Sequence, residues 1–203
     1  MNILKALPAG KPFFHVVLTL TSHEPFETPR PKMIAGNDEL SLFYNAHRYT
    51  DDCLKEYMHD LQKAGLWDNT LVIILGDHGH RLPPAKSKSA DFAIPMIWTG
   101  GAIDTTFNQT RTTSQTDLTP TLLAQLGLDA RAFTFGKNVL SAQGPEWAFF
   151  AFNNGIGYVN KDNAVVFDNA GRRVKEQKGN IPGPTVEVAR RIQHAVVGDF
   201  LGR

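Results

Sequence analysis

The sequence has a single cysteine, Cys53, in 203 residues. No intrachain disulfide can form, and no Cys-x-x-Cys pair exists to hold zinc or a redox couple. Net charge is nearly absent as well: 21 Lys plus Arg stand against 20 Asp plus Glu, leaving +1 at pH 7. That balance gives no basic footprint for nucleic acid or for an anionic membrane surface. Long apolar runs are missing too. Leu71–Leu75 is strand-sized, far below the ~20 residues that span a bilayer, and residues 1–10 lack the apolar core of a signal peptide. G-x-x-x-x-G-K-S/T, G-x-G-x-x-G after a strand, and G-x-S-x-G are all absent, which leaves P-loop, dinucleotide-binding and serine-hydrolase chemistry without a signature.

What is present is a globular composition, 42% hydrophobic and 20% charged, in a chain long enough to bury a core. Phe13–Leu20 is a near-continuous apolar run, the pattern of a strand buried on both faces. A proline-spaced loop follows, Pro25 to Pro31. The spacing of Leu40, Phe43, Ala46, Cys53, Leu54, Tyr57, Leu61 and Ala64 predicts a helix over 38–64, with Asn37 as its N-cap and Gly65 as its stop. Further strands are expected over 70–75 and 94–98, then a helix over 118–126 that Asp117 opens. From Glu146 the texture changes. Runs at 149–152, 155–160 and 164–168, separated by Asn, Gly and Asp, predict an antiparallel meander, followed by a terminal helix over 184–201. Strands alternating with helices imply an α/β fold with a mostly parallel sheet flanked by helices. The expected organisation is one domain over 1–203: an α/β core at 13–140 and a β meander plus helix at 146–203.

Asp77 and His78 carry the sharpest chemical signal. They directly follow a strand and are bracketed by Gly76 and Gly79. Loops at strand C-termini converge on the binding crevice of a parallel sheet, and a carboxylate beside an imidazole offers two ligands to a divalent metal. A turn in which Asp77 caps backbone amides is the plainer alternative. His23 also lies just past a predicted strand, where it could bind a phosphoryl or sulfuryl oxygen or donate a proton. His80 and Arg81 could contact an anion or form a solvated basic loop. His47 and His59 read as solvated helix-face residues, His15 as part of a strand, and Cys53 as a buried member of the helix stripe.

Together these stretches resemble the C-terminal part of a sulfatase-family enzyme of the alkaline phosphatase superfamily. The likeness is strongest to the lipoteichoic acid synthase-like phosphoglycerol transferases. It is carried, in order, by Leu18–Phe26, Tyr49–Leu54, Lys63–Gly79, Ile94–Ile97 and Ser114–Leu123, over about residues 13–140. The resemblance implies that Asp77 and His78 bind a catalytic divalent ion (Mn²⁺, Zn²⁺, Mg²⁺ or Ca²⁺) and that His23 contacts the substrate's phosphate. Relatives with two metals place another histidine about a dozen residues further on. Here that region reads Ser87-Lys88-Ser89-Ala90-Asp91, which implies one metal.

The resemblance also implies a covalent mechanism whose Thr, Ser or formylglycine nucleophile comes from N-terminal strands. No residue here matches that motif, since Cys53 is not in C-x-P-x-R. The nucleophile is therefore expected outside this chain, which alone would turn over little. The expected function is a metal-dependent phosphoglycerol- or phosphoethanolamine-type transferase, or a related ester hydrolase. A sulfatase proper and a non-catalytic anion-binding or structural domain are the alternatives. Expected partners are phosphate- or sulfate-ester substrates such as a lipid head group, no nucleic acid, and further copies of the chain through exposed surface. The resemblance places the parent on the extracytoplasmic side of a membrane, with this portion soluble.

Overall fold

Helix α1, Glu39–Lys63, is the longest element of the computed structural model, which describes residues 10–179 and 184–202. Asp38, not Asn37, is its N-cap: the Asp38 carboxylate accepts the Ser41 N–H at 3.0 Å and the Ser41 hydroxyl at 2.6 Å. Asn37 lies one residue too early to reach the orphan amides of the first turn. Gly65 ends the helix as expected, in the left-handed region at φ +68, so that its own N–H reaches Gln62 O and that of Leu66 reaches Leu61 O, both at 3.0 Å. Phe43, Ala46 and Leu61 are buried on the predicted stripe.

The described residues gather into two compact units, one holding the chain up to Pro84 together with Ile94–Thr106, the other Ala85–Ala93 with the chain from Phe107 on. In the first unit, Phe26, Phe43 and Ala46 form a small core with Leu42 and Leu82 against it. Asn45 is buried and ties the 31–34 loop to α1. Its Oδ1 accepts the N–H groups of Met33 and Ile34 at 2.8 and 2.9 Å, and its Nδ2 donates to Ile34 O and Ser41 O, each at 2.8 Å. Strand β1, Val72–Leu75, pairs with β2, Met96–Thr99, in register Val72↔Thr99 to Leu75↔Met96.

That pairing is antiparallel, and so is every other strand pairing among the described residues. The expected mostly parallel sheet is not what these residues form. Phe13–Leu20, expected to be a buried strand, has no ladder partner among the described residues, and Phe14, Val16, Val17, Leu18 and Leu20 are 67–81% exposed. An apolar β-branched run suits a pleated surface, but it becomes a strand only when neighbours satisfy its backbone groups.

In the second unit, helix α2 (Lys88–Asp91) is capped by Ser87, and a short 3₁₀ turn leads into α3 (Leu118–Gln125). The meander is observed: β3 Trp147–Phe152, β4 Gly155–Asn160 and β5 Ala164–Asp168, with a fourth strand, β6 Arg173–Lys178, in order β3-β4-β5-β6. The rings of Phe152 and Phe150 lie over their cross-strand partners Gly155 and Gly157, where any Cβ would collide with them. Helix α4, Pro184–Leu201, closes the unit: Ala189 is buried with Ile156 and Val165, and Tyr158, Phe167 and Val186 pack around them. Among the described residues no helix is long and apolar enough to cross a membrane.

Candidate functional site

Strand β1 hands the chain to Gly76, whose N–H donates to Pro95 O at 3.1 Å. A Cβ there would stand 3.2 Å from the Ile94 Cβ, so the smallest residue sits where the strand turns outward. Asp77 and His78 follow, with side chains 70% and 65% exposed. The His78 N–H donates to Asp77 Oδ1 at 3.0 Å, and Asp77 Oδ2 stands 3.7 Å from His78 Nε2. His78 Nδ1 lies 2.8 Å from Gly79 O. A carbonyl oxygen only accepts, so Nδ1 carries a proton, and in the neutral ring Nε2 is the bare nitrogen.

His78 Nε2 and Asp77 Oδ2 thus lie near each other, as two ligands of one cation require. Ligands ~2.1 Å from an ion stand roughly 3.4 Å apart at a tetrahedral angle. The donor set fits part of a divalent-metal site, with the second-nitrogen hydrogen bond that orients metal-binding histidines. Among the described residues no three His, Cys, Asp or Glu side chains gather to complete such a set.

His23 sits in a tight turn in which its own N–H donates to Leu20 O at 3.0 Å and the Phe26 N–H donates to its carbonyl at 2.9 Å. The exposed ring donates from Nδ1 to Glu24 O at 2.8 Å, so Nε2 is again the outward nitrogen.

His80 is packed against aromatic rings, whereas Arg81 is exposed and held by carboxylates of its own chain. The His80 ring stacks on Phe43, centroids 5.3 Å apart, and meets Phe26 edge-on at 5.8 Å. The Leu82 N–H donates to His80 Nδ1 at 3.0 Å, which turns Nε2 toward Glu24 Oε1 at 3.5 Å. Arg81 forks onto Glu39, Nη1 to Oε2 at 2.9 Å and Nη2 to Oε1, and Nη2 also donates to Glu24 Oε1 at 3.1 Å. The Arg81 guanidinium holds the Glu39 carboxyl below its ordinary range, and Glu39 in turn raises Arg81. The His23 turn and the loop after β1 thus meet through Glu24, His80 and Arg81. A cleft of about 500 Å³ opens among Glu24, Phe26, Asn37, Glu39, Leu42 and Arg81.

The structure puts Asp77, His78 and His23 on exposed turns, and it adds Glu39, which the sequence reading did not single out, as a partner of Arg81. The available signal was slight: Glu39 lies in a helix's first turn. His47 and His59 are exposed, His47 bonded through Nδ1 to Phe43 O at 2.9 Å. Cys53 is half-buried on α1, and its hydrogen bond with Tyr49 raises the phenol above its ordinary value. His15 is exposed.

Comparison with known proteins bears on all of this. The chain is 28% identical to the lipoteichoic acid synthase of Staphylococcus aureus (strain USA300), over 76% of this chain and 28% of that protein. It is 27% identical to that of Staphylococcus saprophyticus, over 83% of this chain and 29% of the relative. It thus spans under a third of the length of these curated relatives. Its fold matches the crystal structure of an alkaline phosphatase superfamily protein from Vibrio parahaemolyticus at TM-score 0.76 and 25% identity, covering 99% of this chain and 51% of that one. It also matches the lipoteichoic acid synthase LtaP of Listeria monocytogenes at TM-score 0.65 and 19% identity, covering 86% of this chain and 50% of that one. The Sulfatase family model matches residues 1–128, well over half the sequence, and the chain belongs to the sulfatase family.

Proposed function

We propose that this chain forms the metal- and anion-binding side of an active site that transfers or hydrolyses a phosphate or sulfate ester. A phosphoglycerol- or phosphoethanolamine-type transferase is the reading the relatives favour, because those at 27–28% identity are lipoteichoic acid synthases. One observation carries the proposal: Asp77 Oδ2 and the bare Nε2 of His78 stand 3.7 Å apart on an exposed turn after a strand.

In this reading Asp77 and His78 hold one divalent ion, with the remaining ligands supplied from outside residues 1–203. When bound, the ion supplies positive charge where the transferred group develops negative charge. His23, its Nδ1–H committed to Glu24 O, presents Nε2 to the substrate. In the imidazolium form that nitrogen donates to a phosphoryl or sulfuryl oxygen; in the neutral form it accepts a proton. The attacking nucleophile belongs to sequence outside this stretch, and the parent works on the extracytoplasmic side of a membrane.

The test is calorimetric titration of the chain with Mn²⁺ and Zn²⁺, alongside Asp77→Asn and His78→Ala. The proposal expects binding in the parent chain and its loss in both variants. Binding that survives both substitutions refutes the metal assignment. Rapid metal-dependent phosphodiester turnover by the chain alone, abolished by Asp77→Ala, refutes the placement of the nucleophile elsewhere.

A further inference from the structure

Arg81 is the residue that joins the two candidate turns. Its guanidinium is taken up by two carboxylates of its own chain, Glu39 through both Nη atoms and Glu24 through Nη2 at 3.1 Å. We infer that Arg81 is a positioning residue, which sets the Asp77–His78 turn against the His23 turn by bridging Glu24 and Glu39. The inference rests on reading Asp77, His78 and His23 as site residues.

Geometry supports it from both sides. Arg81 follows His78 by three residues, a reach of at most ~10 Å, so anchoring the guanidinium restricts where the His78 imidazole can lie. On the other side, Glu24 adjoins His23, and the His23 ring is bonded to the Glu24 carbonyl at 2.8 Å. Each imidazole is therefore one short, tethered segment from the same guanidinium. Glu39 lies in the first turn of α1, a fixed platform capped by Asp38. His80, packed on Phe43 and Phe26, removes slack between the metal candidate and the bridge. Arginine suits this task because its planar fork donates in set directions to two carboxylates, whereas a lysine ammonium offers one compact charge.

The experiment uses long-range ¹H–¹⁵N correlation of histidine rings in the whole chain, first without metal and then with added Mn²⁺. The variants are Arg81→Gln, Glu39→Gln and the double substitution. The bridge predicts that each single variant moves the His23 and His78 resonances while His59 and His194 stay. It predicts that the double variant moves them no further than Arg81→Gln alone. It also predicts that Mn²⁺ affinity falls about threefold to tenfold in Arg81→Gln, less than the ~10–100-fold typical of losing a ligand's direct partner.

Unmoved His23 and His78 rings in Arg81→Gln overturn the inference, as do additive effects in the double variant or a uniform shift of every histidine. If the parent chain binds no Mn²⁺, the metal assignment falls by itself. The metal-free ring resonances still decide the role of Arg81.

Discussion

Replacing Asp117 by alanine is expected to be among the most damaging single changes in the second unit. Asp117 is 1% exposed. Its Oδ2 accepts the Ser114 N–H at 2.7 Å and the Lys137 ammonium at 2.5 Å, and its Oδ1 accepts the Lys137 N–H at 3.0 Å. The ammonium also donates to Trp147 O at 2.7 Å and lies 4.6 Å from the centre of the Trp147 ring. Asp117→Ala therefore strands two backbone donors and a cation whose side chain is 11% exposed. Removing one partner of a buried ion pair costs about 3–5 kcal/mol, chiefly because the other charge is left uncompensated. Lys137→Met is milder, about 1–3 kcal/mol, since the carboxylate keeps two backbone hydrogen bonds. The double variant should cost less than the sum, because both changes remove one shared interaction. Urea unfolding followed by circular dichroism measures all three, provided the slope is unchanged. A loss below about 1 kcal/mol in Asp117→Ala would refute the argument that the uncompensated charge dominates.

Gly157→Ala places a methyl group where the Phe150 ring lies; a loss of about 1–3 kcal/mol is expected from overpacking, and a neutral unfolding midpoint would contradict it. Asp168 is held below its ordinary value of 3.8, first by the Gly171 N–H and then by Lys175. Its contribution is complete above that value and is lost as pH falls through the lower folded one. Acid unfolding should therefore be less steep in Asp168→Asn, and identical acid limbs would count against this. The exposed apolar run from Phe14 to Leu20 should drive self-association of the chain as concentration rises. Sedimentation velocity should show that association weakened in Val16→Lys/Leu18→Lys, and a monomer at every concentration would disprove it.

The parts of the fold that were legible in sequence are those fixed by neighbouring residues. The α1 stripe and its Gly65 stop, the runs of β3 to β5 and the terminal helix each repeat at their own period or end at their own turn residues. Strand β6 was not legible. Its sequence, RVKEQK, is polar and almost wholly exposed, so no alternation of apolar and polar residues marks it; it is an edge strand, where charge blunts further pairing. Phe13–Leu20 failed in the opposite direction. Its apolar pattern states what surface it would suit, while the ladder that makes a strand depends on distant chain. The sheet's direction failed for the same reason: β1 and β2 are antiparallel, and nothing in either run encodes the sense of its partner.

The candidate site divides along the same line. Asp77 and His78 stand out as candidates because their signal is contained in four consecutive residues, two flanked by glycines after a strand end. The pairing of Arg81 was not legible because its partners lie far away in sequence, Glu39 at a separation of 42 residues and Glu24 at 57. A cation close to a candidate metal turn looks available to an anionic substrate until the chain's own carboxylates are placed beside it. Here they engage both of its Nη atoms. An anion approaching those Nη donors would have to displace ligands of the same charge. Its proximity to His78 therefore argues for holding the site's geometry. In the proposed site the outward Nε2 of His23 faces substrate and that of His78 faces the metal ion, while the other nitrogen of each ring is engaged by a backbone carbonyl.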